Sequence, residues 1–178
     1  TLFLEAVEPR PPWAETASRL LEKRQPCRLV VPFAAPPLLP ATGLATPDDL
    51  TNSPTEGVFV DLLQPPPRLL IFGAGDDAQP LVTGASHLGW EVWVADPRPA
   101  FATAQRFPAA RRVEYLPPEK AVATLAPDAG DSVVVMTHHY VHDLPLLQAL
   151  LPLPTAYLGL LGPRRRAERL LADLAAKG

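Results

Sequence analysis

The chain is short of cysteine, of net charge and of long apolar runs, and each shortage excludes something. A single cysteine, Cys27, forbids an internal disulfide and fits a reducing compartment, so a cytoplasmic location is expected. Cys27 lies in an apolar run and reads as a small buried core residue. A net charge of −3 over 178 residues gives no electrostatic case for a nucleic-acid partner. No apolar stretch approaches the length of a membrane span, and the first residues show no signal-peptide pattern, so no membrane association is expected. The chain starts at Thr1, as it would if an initiator methionine had been removed or if a longer chain preceded it. What is present in quantity is hydrophobic residues, at 47%, enough for a packed core. The length suits one ordinary domain with an appendage.

Proline divides the chain. Of 24 prolines, 13 precede Arg68. Residues 1–67 therefore read as a small proline-rich α/β part. It has a strand over Leu2–Val7, an amphipathic helix over Ala14–Gln25 and a strand over Cys27–Val31. A long loop over Pro36–Thr55 and a strand over Val58–Leu63 follow. Pro65-Pro66-Pro67 is a stiff spacer. So few elements bury little surface, and this part is expected to lean on the second domain or on a second subunit. From 68 to 178 strands and helices alternate. Strands are predicted at 69–72, 91–95, 111–115, 132–136 and 155–160, and helices at 77–88, 118–125, 143–151 and 163–176. Alternation of this kind implies a Rossmann-like, mostly parallel sheet with helices on both faces.

The run Arg68-Leu-Leu-Ile-Phe-Gly-Ala-Gly-Asp-Asp-Ala78 gives that fold a purpose. A buried strand meets a G-x-G-x-x-A turn, a helix follows, and the next strand ends on Asp96, about 20 residues on as a dinucleotide fingerprint requires. Gly73 permits the tight turn, Gly75 lets a pyrophosphate approach the backbone, and Ala78 lets the helix pack closely on the strand. The helix N-terminus offers free N–H groups to an anion. Asp76 and Asp77 occupy the place of the phosphate. They either cap the helix or flank the ligand they would partly repel. Asp96 either reads a ribose or opens the Asp96-Pro97-Arg98-Pro99 turn, and Arg98 beside it could meet a ribose phosphate.

Ligands in such sheets bind beyond the carboxyl ends of the strands, so two later turns carry weight. In Met136-Thr-His-His-Tyr-Val-His-Asp143, His138 lies just past a strand, as a ligand contact, a proton donor or a loop histidine bonded to backbone. Asp143 is expected to cap the next helix, with Pro145 in its first turn. His138, His139 and His142 have no cysteine or glutamate nearby to complete a metal site, and no metal is expected. In Gly162-Pro163-Arg164-Arg165-Arg166 three arginines crowd a helix N-terminus, where the dipole disfavours cations. A bound anion at Gly162, Arg164 and Arg165 would resolve the conflict. A solvated basic turn paired with Glu168 or Asp173 is the alternative. Arg166 and Arg169 are expected to face solvent.

GAGDDAQPL, VADPRPAFATAQRFP, VVVMTHHYVHDLPLLQALL and AYLGLLGPRRRAERLL, taken in order, resemble motifs of the XdhC/CoxI family from about Arg68 to Leu174. These are accessory factors of xanthine dehydrogenase and related molybdenum hydroxylases. The resemblance implies a Rossmann-like C-terminal domain that binds the molybdenum cofactor, as molybdopterin or its dinucleotide form. It also implies protection of the cofactor during sulfuration and its delivery to the apo-enzyme of a molybdenum hydroxylase, commonly as a homodimer. By position it points to Gly73, Gly75, Asp96, Arg98, His138, Asp143, Gly162, Arg164 and Arg165. The glycine- and cysteine-bearing motif of the family's longer N-terminal domain is absent here, and some relatives have histidine where this chain has Asp76. The competing functional expectations are a small NAD(P)-dependent oxidoreductase, for which no Tyr-x-x-x-Lys pair appears, and a nucleotide-sensing regulatory domain.

Overall fold

A computed structural model describes residues 6–33, 42–45 and 57–176. The chain divides into two compact units, Thr1–Pro66 and Pro67–Gly178.

In the first unit, helix α1 (Pro12–Glu22) starts on a proline, whose fixed φ suits the first helical position. It stops short of the predicted Gln25 because Arg24 takes a left-handed φ of 58°. Strand β1 (Cys27–Pro32) is central to an antiparallel sheet, between β2 (Gly43–Ala45) and β3 (Val58–Leu63). Strand β2 corrects the expectation of an unbroken loop over 36–55: Gly43, Leu44 and Ala45 pair with Val30, Leu29 and Arg28. The rest of that stretch lies outside the described residues. So does most of the strand expected at Leu2–Val7, of which only Ala6 and Val7 are described, exposed and outside any strand. Cys27 is buried, as expected.

The second unit is a five-stranded parallel sheet in the order β6-β5-β4-β7-β8. Its strands are β4 (Arg68–Phe72), β5 (Glu91–Asp96), β6 (Arg112–Tyr115), β7 (Ser132–Val135) and β8 (Tyr157–Leu160). Its helices are α2 (Ala78–His87), α3 (Pro118–Leu125), α4 (Tyr140–Leu150) and α5 (Arg164–Ala175). All five residues of central β4 are buried, and its side chains alternate between two cores. Leu70 and Phe72 join Ala95, Val133 and Val135 beneath α3, α4 and α5. Leu69 and Ile71 join Val92, Val94 and Met136 beneath α2 and the aromatic anchor Phe107. Helices thus cover both faces, as the alternating sequence predicts. Phe107 stands in a helix-free connection between β5 and β6.

The amino end of the sheet is fixed by a buried ion pair. Arg68 Nε donates to Asp131 Oδ1 at 2.9 Å, and the guanidinium lies over Trp93. Burial would lower the Arg68 pKa, but the Asp131 hydrogen bond and charge outweigh it and hold the group above its ordinary value. This pair steadies the end of the strands opposite the glycine turn.

One helix boundary matters for the site. Helix α4 begins at Tyr140, three residues before the predicted start, with His139 extended at the N-cap and no side-chain cap. Asp143 is therefore not the cap. It lies inside the first turns, with its carboxylate turned into the interior and 0% exposed. Pro145 also falls inside the helix, where it removes one backbone hydrogen bond.

Candidate functional site

The chain runs outward from β4 through β5 to β6, then returns to the other side of β4 to lay down β7 and β8. The carboxyl ends of β4 and β7 therefore flank the topological switch point, where parallel α/β sheets hold ligands. The glycine turn enters from one side and Thr137-His138 from the other.

The two glycines do different work. Gly73 has a φ of 127°, which side-chain-bearing residues rarely adopt, and a Cβ there would sit 2.5 Å from the Met136 carbonyl oxygen. Its N–H donates to the Ala95 carbonyl at 2.8 Å. The fold itself demands this glycine. At Gly75 no positive φ applies. A Cβ there would meet only the movable end of Asp77, with Oδ1 at 2.5 Å. Ala78 is wholly buried, as close packing of α2 on the sheet requires. Helix α2 has no side-chain cap, so neither aspartate caps it. Among the described residues the amides of Gly75, Asp76 and Asp77 donate to no protein acceptor.

The aspartates are spoken for by groups outside the turn. Asp76 Oδ1 lies 2.7 Å from Arg106 Nη2, which also reaches the Ala74 carbonyl. Asp77 Oδ2 lies 2.5 Å from His138 Nε2, a bond that spans the switch point from the β4 turn to the β7 turn. His138 has a left-handed φ of 58°. Such a conformation costs about 1–3 kcal/mol and persists where surrounding contacts impose it. The partner of His138 is a carboxylate rather than the backbone.

Asp96, at the end of β5, is fully buried and accepts four hydrogen bonds. They come from the Ala74 N–H (2.7 Å), the Arg98 N–H (2.8 Å), and Arg98 Nε and Nη2 (2.8 Å each). Burial alone would raise its pKa. The bonds from Arg98 and Ala74 more than reverse this, and the carboxyl is held below its ordinary value. The Arg98 guanidinium lies 4.0 Å from the Phe101 ring centroid, and Arg106 lies 5.0 Å from the same ring. Its hydrogen bond to Asp96 raises the Arg98 pKa further.

Gly73, Gly75, Asp76, Asp77, Asp96, Arg98 and His138 thus form one connected group, joined by Arg106 and Phe101, which the sequence reading passed over. Gly162, Arg164 and Arg165 are not joined to it by any hydrogen bond or ion pair among the described residues. Arg164 is 91% exposed and pairs with Glu168 at 2.7 Å. Arg166 is the arginine that turns inward, contrary to the expectation that it faces solvent. It donates to the Leu161 carbonyl and lies 3.4 Å from Asp143 Oδ2, within ion-pair distance but without hydrogen-bond geometry. Asp143 Oδ1 accepts from Thr137 Oγ1 at 2.5 Å, and Thr137 Oγ1 accepts from the His139 N–H at 3.1 Å. Arg166 therefore reaches the His138 turn through Asp143 and Thr137. Its spacing was the available signal: Arg166 shares a helical face with buried Leu170 and with Leu174.

Among the described residues no group of three or more His, Cys, Asp or Glu is placed to hold a metal ion. The ring centroids of His139 and His142 lie 4.9 Å apart, with the rings tilted by 31°. No helix among the described residues is long and apolar enough to cross a membrane.

A parallel sheet, a glycine turn at its switch point and an acid at the end of the neighbouring strand define a Rossmann-type domain. The family described as the XdhC Rossmann domain matches residues 69–178, and the chain belongs to the XdhC family. It is 39% identical over 118 residues to a probable xanthine dehydrogenase subunit of Bacillus subtilis strain 168, an alignment covering 66% of this chain and 36% of that protein. It is 30% identical over 122 residues to YqeB of Escherichia coli K12, an uncharacterized protein, covering 68% and 22%. The crystal structure of a xanthine dehydrogenase from Bacillus halodurans superposes with a TM-score of 0.78 at 27% identity, over 89% of this chain and 55% of that one. The chain thus spans about a third or less of the curated relatives it matches.

Proposed function

We propose that this chain is a non-catalytic accessory protein for a molybdenum hydroxylase of the xanthine dehydrogenase type, holding the molybdenum cofactor in its Rossmann crevice for insertion into the apo-enzyme. Membership of the XdhC family supports this reading, as do relatives whose names refer to xanthine dehydrogenase. The observation that carries it is Gly75. Neither backbone conformation nor packing against a rigid neighbour calls for a glycine there, whereas close approach of a phosphate to the backbone does.

The residues fit a phosphate-bearing pterin. The amides of Gly75, Asp76 and Asp77 at the start of α2 would hold the phosphate, with Arg106 and Arg98 beside it. Asp76 is paired with Arg106, which reduces the repulsion its carboxylate would otherwise exert, and Asp77 is hydrogen-bonded to His138. When bound, the cofactor would supply the redox-active metal that the partner enzyme uses. The chain's own residues would bind and orient it. An oxidoreductase reading is weaker, because Asp96 has no free lone pair for a ribose and the sequence holds no Tyr-x-x-x-Lys pair.

Mass spectrometry of the ligand released from native protein tests the proposal. A pterin is expected, and pterin-loaded protein should restore activity to a cofactor-free molybdenum hydroxylase. A nicotinamide dinucleotide would instead indicate the oxidoreductase, and an adenosine nucleotide a sensor.

A further inference from the structure

The arginine-rich turn after β8 reaches the switch point through Arg166, not through Arg164 or Arg165. Gly162 has a φ of 145°, and a Cβ there would overlap the Arg166 guanidinium. The glycine therefore makes room for a side chain of its own turn. The guanidinium donates to the Leu161 carbonyl at the end of β8 and lies 3.4 Å from Asp143 Oδ2. The Arg166 side chain is 17% exposed and that of Asp143 0%. A buried carboxylate stripped of its countercharge is costly, so the two hold each other in place.

Asp143 passes the constraint on. Its Oδ1 accepts from the Thr137 hydroxyl at 2.5 Å, which spends the hydroxyl's one proton. The Thr137 oxygen in turn accepts from the His139 N–H at 3.1 Å. That bond reaches across His138, the one residue between, and closes a tight bracket on it. His138 has its left-handed φ of 58° inside this bracket, and its Nε2 meets Asp77 Oδ2 at 2.5 Å. The start of the turn is fixed as well. A Cβ on Gly73 would lie 2.8 Å from the Thr137 nitrogen, so the backbones of the β4 and β7 turns abut. Among the described residues the His138 ring bonds only to Asp77, and its backbone conformation is left to the Thr137 bracket to impose.

We propose that Arg166 and Asp143 are positioning residues of the crevice. Acting through Thr137, they hold His138 in the left-handed conformation that sets its imidazole on Asp77. The arginine-rich turn thus serves the switch point from behind, through one buried guanidinium and one buried carboxylate. The consequence for ligand retention rests on the reading of the crevice as a cofactor site, whereas the consequence for His138 does not.

Proton NMR of the full chain at one fixed pH, with no ligand added, tests it. The His138 ring signals are assigned by their loss in His138→Gln, and Asp77→Asn gives their position once the carboxylate is gone. In Arg166→Met and in Thr137→Val they should move from the wild-type position toward that of Asp77→Asn. Thr137→Ser keeps the hydroxyl and should leave them in place. So should Leu125→Ala, which opens a cavity beside Ala126 at the Arg68 end of the sheet and lowers stability without touching the bracket. Should Arg166→Met fail to fold by circular dichroism, Thr137→Val decides the matter, since it leaves the Arg166–Asp143 pair in place. Purified from cells that make the cofactor, Arg166→Met and Thr137→Val should lose most of their pterin, and Thr137→Ser and Leu125→Ala should keep it. His138 signals unmoved in folded Arg166→Met or Thr137→Val, or moved as far by Leu125→Ala, would overturn the inference, as would pterin retained in full by the first two variants. Moved signals with no pterin in wild type would uphold the positioning and sink the proposed function. Pterin in wild type with unmoved signals would do the reverse.

Discussion

Replacing each glycine of the turn by alanine should separate fold from binding. At Gly73 the new Cβ enters a backbone conformation reserved for glycine, at a cost of about 1–3 kcal/mol. It also overlaps the Met136 carbonyl, and because that carbonyl is backbone at the end of β7 the strand must shift, adding about 1–3 kcal/mol. Gly73→Ala should therefore lose about 4 kcal/mol, a large part of the roughly 5–15 kcal/mol that holds a domain together. At Gly75 the Cβ displaces only the Asp77 carboxylate from a half-exposed pair with His138, worth less than about 1 kcal/mol. Lower chain entropy in the unfolded state returns about 0.4–1 kcal/mol. Gly75→Ala should thus fall within about 1 kcal/mol of wild type. Urea unfolding followed by circular dichroism measures both, and the midpoints should differ widely. Equal destabilisation would show that Gly75 is held by packing, and the case for a ligand at the turn would lose its main support.

Three further outcomes follow from the geometry. Arg166→Met leaves the buried Asp143 carboxylate without its countercharge and should cost about 3 kcal/mol in urea unfolding; a change below about 1 kcal/mol would remove Arg166 from the support of the His138 turn. Changing Arg164 and Arg165 together to glutamine should shift stability by less than about 1 kcal/mol, because Arg164 stands in solvent and its pair with Glu168 is exposed. If their turn closes on an anion, the same change should weaken ligand binding by about 1.5–3 kcal/mol per lost bond. The Asp96 carboxyl titrates below its ordinary value in the folded state, so its contribution is complete above about pH 4 and is lost as pH falls through the lower folded value. Between pH 5 and pH 2, taken as a rough range, wild-type stability should fall more steeply than that of Asp96→Asn.

The centre of the sheet was legible because its strands are apolar runs bounded by breakers. Leu69–Phe72 and Val92–Ala95 have no amphipathic reading that competes with a buried strand. The turns at Gly73 and Asp96 were legible because glycine and acid stand at a spacing that a strand, helix and strand impose. The short strand β2 was not, since Gly43-Leu44-Ala45 has little strand character of its own and is held by pairing with β1. Asp143 reads as a helix cap from its neighbours alone. Its burial depends on Thr137 and on Arg166, which is 23 residues away, and local sequence does not encode that meeting. Arg106 and Phe101 were missed for a related reason. They lie in the connection between β5 and β6, and only the folded chain brings Arg106 onto Asp76.

The central claim is that the switch-point crevice holds a pterin against the glycine turn. The most direct measurement is the amount of pterin that remains with wild-type protein and with Gly75→Val, purified side by side from cells that make the cofactor. Wild type should carry pterin approaching one per chain, and the variant, folded by circular dichroism, should carry little. Pterin retained equally by a folded Gly75→Val, or absent from wild type, would contradict the account.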